Sequence, residues 1–145
     1  MKKPFRVAVL ILTLCMLVFI WGNSVLPKGP SDGMSKGMLH NITKLVPLNA
    51  TEDELNHIIR KLAHFSEFAF FGVLLCLLFL ADPDVKFIPL SLCFATAICD
   101  ETIQIFSGRG PSITDVMIDT AGAAFGIAIL LFIVSHVKRR SSGKI

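Results

Sequence analysis

Four long apolar runs dominate the chain, separated by polar breaks and bounded by basic ends, with a few ionisable residues inside the runs. The first run, Val7 to Gly22, stands behind Lys2, Lys3 and Arg6 and predicts a helix over about residues 5–22. Residues 23–51 read as a loop, because Pro27, Gly29, Pro30, Gly33, Gly37 and Pro47 interrupt any regular element. Thr51-x-x-Glu54 has the form of a capping box, in which each end residue satisfies the other's backbone amide, so a second helix is expected over about 52–81. Asp82-Pro83-Asp84 reads as a tight turn. A third helix is expected over about 87–106, with Pro89 tolerated in its first turn. The break Ser107 to Pro111 then leads to a fourth helix over about 114–136 and a basic tail. Each run supplies the roughly 20 apolar residues that cross a bilayer. The expected fold class is therefore all-α: a polytopic membrane protein, an antiparallel bundle of about four transmembrane helices in a single domain over 1–145.

Composition strengthens this reading. The 145 residues are 53% hydrophobic and 17% charged, with a mean hydropathy of +0.68. Soluble domains carry about a quarter charged residues, which they need to cover their surface. The net charge of +3 is mild, and no basic face interleaved with aromatics suggests nucleic-acid binding. Cys15, Cys76, Cys93 and Cys99 all lie in apolar runs without a CxxC pair, so they read as small apolar side chains. A charged start before an apolar core also suits a secretion signal. No A-x-A-like site follows it, and Leu14 is too bulky to precede a lipidated Cys15, so a retained first helix is expected.

Charge also orients the bundle. With four spans both termini share a side, which holds Lys2, Lys3, Arg6, Lys86, Lys138, Arg139, Arg140 and Lys144. The opposite breaks hold Lys28, Lys36, Lys44 and Arg109, spread over a longer stretch. The positive-inside rule then puts both termini in the cytoplasm of a cell-membrane protein and makes 23–51 an outer loop.

The polar residues inside the spans fall at one depth. Arg60, His64 and Glu67 follow an i, i+4, i+7 spacing on the second helix, a stripe about 60° wide with Lys61 beside it. Asp100 and Gln104 share a face of the third helix, next to Glu101. Asp115, Asp119, Gly122 and Gly126 share a face of the fourth. The polar members of all three faces lie within about 10 Å of the outer end, by the rise of 1.5 Å per residue. Ionisable groups at that depth cost about 2.5–3.5 kcal/mol each when they meet lipid, so they are expected to face one another, water or a ligand. Gly122-x-x-x-Gly126 lets a neighbouring helix approach closely. Five carboxyls (Glu67, Asp100, Glu101, Asp115, Asp119) stand against Arg60, Lys61 and Arg109. The excess negative charge is relieved by protonated carboxyls, a protonated His64, a divalent cation or a cationic ligand, among which the sequence does not choose.

Each group carries two readings. His64 and Glu67, adjacent at i, i+3, form a candidate acid–base pair or an interhelical hydrogen bond that holds the bundle. Asp100 and Glu101, together with Asp119, offer hard oxygen ligands to a cation, or partners to Arg60, Lys61 or Arg109. Arg109 offers a guanidinium to a phosphate or carboxylate, or anchors the break at the lipid headgroups. Candidate catalytic residues are thus His64, Glu67, Asp100 and Glu101, and candidate binding residues are Arg60, Lys61, Gln104, Arg109, Asp115 and Asp119. No dense motif such as HExxH names a metal or cofactor.

The segments Arg60-Lys61-Leu62-Ala63-His64-Phe65-Ser66-Glu67-Phe68 and Asp100-Glu101-Thr102-Ile103-Gln104-Ile105-Phe106, followed by Gly108-Arg109 and Asp115, resemble the VanZ-like membrane protein family. The resemblance covers roughly Leu55 to Leu130. It departs at Asp119 and Phe68, where the family often has Asn and Tyr, and Ser24 is the remnant of a Ser-Ser-Gln-like segment. The resemblance implies a small bacterial multi-pass protein, in a family named for a member that raises resistance to the glycopeptide teicoplanin. It leads to the expectation of an outward-facing polar pocket that binds or acts on a cell-envelope component, with membrane lipids, a lipid-linked wall precursor or a glycopeptide as partners. A membrane-embedded hydrolase or transferase and a non-enzymatic helical scaffold are the rival readings, and a homo-oligomer is compatible with any of them.

Overall fold

The computed structural model describes residues 3–25, 51–80, 87–108 and 112–142. They form four helices: α1 Lys3–Val25, α2 Glu52–Phe79, α3 Ile88–Phe106 and α4 Ile113–Ser142. All four are long and apolar enough to cross a membrane, and no strand occurs among the described residues. The expected all-α membrane bundle is what the chain forms.

Local chemistry sets the helix ends. Thr51 and Glu54 make the expected capping box: the Thr51 amide donates to Glu54 Oε2 at 3.0 Å, and the Glu54 amide donates to Thr51 Oγ1 at 3.4 Å. Pro89 sits in the first turn of α3, where its missing N–H is not needed. Gly108, at φ +77°, ends α3 with the backbone turned into the left-handed region, open to glycine at no steric cost.

Two ends differ from expectation. α1 runs to Val25, so Asn23 and Ser24 belong to the helix and not to the loop. The reason is a buried stripe, Val9, Thr13, Ile20 and Ser24, whose helical spacing continues past Gly22. α4 runs on to Ser142, past the expected end near residue 136. Arg139 and Arg140 lie in its last turn, where cations complement the negative end of the helix dipole. The Asp82–Asp84 turn and nearly all of the 23–51 loop lie outside the described residues.

The helices alternate in direction, so the C-terminal ends of α1 and α3 and the N-terminal parts of α2 and α4 share one end of the bundle. α2 and α4 run the same way and have the most extensive interface. Gly122 lies against the Phe65 backbone, Gly126 against that of Ala69 and Gly72 against that of Ala123. Absent side chains at these three positions let the two backbones meet, as the Gly122-x-x-x-Gly126 spacing predicts. A compact core of Ile20, Phe68, Phe71, Leu75, Cys93, Ala97 and Ala123 joins all four helices. The outside is the reverse of a soluble protein's, with Val18, Phe19, Phe70, Phe94, Phe125, Phe132 and many other large apolar side chains exposed where acyl chains would cover them.

Candidate functional site

The floor of the site is the top layer of this core. Ile20, Phe68, Ala97 and Ala123, one from each helix, are all 1% exposed or less. One helical turn further toward the shared end stand Ser24, His64, Asp100 and Asp119, again one from each helix. A dry layer thus supports a polar one, and each polar side chain is placed by the packed residue a turn below it.

Asp100 is the centre of the polar layer and is wholly buried. Ser24 Oγ donates to its Oδ1 at 2.6 Å, and Gln104 Nε2 donates to its Oδ2 at 2.9 Å. Gln104 also reaches Ser24 Oγ at 3.5 Å, which closes a small ring of hydrogen bonds between α1 and α3. These bonds hold the carboxylate in one orientation while leaving each oxygen a further lone pair. Asp119 is 1% exposed, and its Oδ1 has no hydrogen-bond partner among the described residues. His64 completes the group. One donor atom from each of His64, Asp100 and Asp119 lies within 4.8 Å of the others.

The remaining sequence candidates take up different places. Glu67 is half-buried, three residues from His64 on α2, and its Oε2 has no hydrogen-bond partner among the described residues. Lys61 and Asp115 form an ion pair at 3.7 Å between α2 and α4, each about a third exposed. Arg60 lies half-buried one turn outward of His64. Arg109 lies outside the described residues.

Glu101 stands apart from the donor group in one respect. It does not share the donor group formed by Asp100 and Asp119; its Oε2 accepts the Ser112 amide at 2.7 Å. Ser112 in turn caps α4, its Oγ accepting the Asp115 amide at 3.3 Å. Neighbours in a helix point about 100° apart, so Glu101 Oε2 reaches the start of α4 while Asp100 faces Ser24. Glu101 ties the end of α3 to the start of α4, and His64 takes the third place in the group.

Ser24 is a site residue that the loop-like composition around it conceals. It falls in the stretch that reads as a loop, yet it is wholly buried and holds the central carboxylate. Its signal was available in the Val9–Thr13–Ile20–Ser24 spacing, which extends the buried face of α1 by one more turn.

The arrangement brings an imidazole and two carboxylates together above a buried apolar layer. Such a set can pass a proton, accept hydrogen bonds from a polar headgroup, or coordinate a cation. No curated protein and no solved structure matches the chain. The VanZ/LLP1 family pattern matches residues 7–134, from the start of α1 nearly to the end of α4. The polar layer of α2, α3 and α4 falls inside that match, and the chain belongs to the VanZ/LLP1 family, as a multi-pass membrane protein.

Proposed function

We propose that this protein uses an outward-facing polar chamber to bind or act on an extracytoplasmic component of the cell envelope. The observation that carries this reading is the convergence of Ser24, His64, Asp100 and Asp119 from four separate helices onto one space at one end of the bundle. Groups this expensive to place in a membrane are ordinarily there because the site uses them. The positive-inside bias turns that end outward and both termini toward the cytoplasm. An envelope lipid or a lipid-linked wall precursor suits the position, since its headgroup sits at the depth of the polar layer while its chains lie along the exposed apolar faces. Membership of a family named for a resistance protein supports a role in glycopeptide tolerance.

The test is susceptibility to a glycopeptide in a bacterial host that expresses the protein, with its membrane abundance measured alongside. Wild type is expected to raise tolerance over an empty vector. His64→Ala and Glu67→Gln are expected to abolish the gain at normal abundance. Loss of abundance in both variants supports the scaffold reading, and full tolerance in both overturns the chamber.

A further inference from the structure

We infer that His64, Asp100 and Asp119 bind a divalent transition-metal ion of the zinc class at the base of the chamber. Three observations support this together. The three side chains come from α2, α3 and α4 and present donor atoms within 4.8 Å of one another. Ligands about 2.0–2.2 Å from a common zinc stand about 3–3.5 Å apart, so modest side-chain rotation closes the set around an ion. The second observation is Asp119 itself. It is 1% exposed, it faces this space, and its Oδ1 lacks a hydrogen-bond partner among the described residues. A buried carboxylate oxygen left without a donor is costly, and a cation removes that cost.

The third observation is the support behind Asp100. Ser24 and Gln104 each hold one of its oxygens, at 2.6 Å and 2.9 Å, and orient the carboxylate as outer partners orient a metal ligand. The donor set selects the ion. Magnesium and calcium prefer six or more oxygens, whereas one imidazole with two carboxylates suits zinc, with manganese as its harder alternative. Two aspartates match a charge of +2, and His64 binds as the neutral imidazole. Three protein ligands leave a coordination position open, as in sites where zinc meets a substrate or water.

This inference deepens the proposed function by naming what the chamber holds, and it rests on that reading only for the use to which the ion is put. The ion is measured on the purified full chain, with no phenotype involved, so one can fail while the other stands. The protein is purified in detergent through a tag that does not bind metal, and its metal content is read by mass spectrometry. Chelated protein is then titrated with Zn2+, Mn2+ and Mg2+ while its thermal unfolding is followed. Wild type is expected to hold about one zinc per chain and to gain thermal stability on Zn2+ addition. Asp119→Asn and His64→Ala are expected to lose the ion and the gain while eluting as wild type does. Ser24→Ala, which leaves all three ligands in place, is expected to weaken Zn2+ binding by about 10–100-fold. Wild type that takes up neither Zn2+ nor Mn2+ after chelation overturns the inference. So does Asp119→Asn binding Zn2+ as tightly as wild type.

Discussion

Replacing Gly126 by alanine puts the α2–α4 contact to a direct test. A Cβ on Gly126 would meet the carbonyl group of Ala69, with its carbon at 2.8 Å and the Ala69 Cα at 3.0 Å. Carbon atoms in ordinary contact stand about 3.5–4.0 Å apart, so α2 must withdraw by on the order of 1 Å. The obstacle is helical backbone, which cannot swing aside as a long side chain can. Overpacking of this kind costs about 1–3 kcal/mol, and a backbone obstacle argues for the upper end. Alanine's better helix propensity returns up to about 1 kcal/mol, for a net loss of about 2 kcal/mol.

Gly22 provides the control, because nothing lies within 4 Å of a Cβ built there. Gly22→Ala is expected to be neutral or up to about 1 kcal/mol more stable than wild type. The assay is equilibrium unfolding of both variants in the same micelles. Gly126→Ala as stable as Gly22→Ala would refute the argument that bare backbone is required at the interface. The site should respond as well. Gly122 packs on Phe65, next to His64, and lies three residues from Asp119. Forcing the helices apart there draws His64 away from Asp119.

Two further predictions concern the rim and the junction. The Lys61–Asp115 pair spans 3.7 Å and is about a third exposed at both ends, so Lys61→Met is expected to cost no more than about 1 kcal/mol, less at high salt, and a double-mutant cycle with Asp115→Asn measures the coupling. Ser112→Ala removes the side-chain cap of α4 and is expected to cost about 0.5–2 kcal/mol in unfolding. Its faster amide exchange should be confined to the first turn of α4.

The chain by itself determined the number of spans, their approximate limits and the family. These are local properties. A run of about 20 apolar residues crosses a bilayer whatever it packs against, and Thr51-x-x-Glu54 caps a helix with its own atoms. The helical spacing of Gly122 and Gly126 likewise announced a close approach, although not which helix would make it. α2 was the answer, by way of Phe65 and Ala69.

Which of the polar residues meet was decided only in three dimensions. Asp100 and Glu101 are neighbours of the same charge type, and both are candidates along the chain. The rotation of α3 about its axis sends Asp100 to His64 and Asp119, and Glu101 to the amide of Ser112. Ser24 shows the same effect from the other side. One extra helical turn, held by the packing of Ile20 in the core, converts an apparent loop serine into the donor that fixes the central carboxylate. Hydropathy and periodicity set what each helix is. Its rotation and the closeness of its neighbours follow from packing against the other three, and those choose the site.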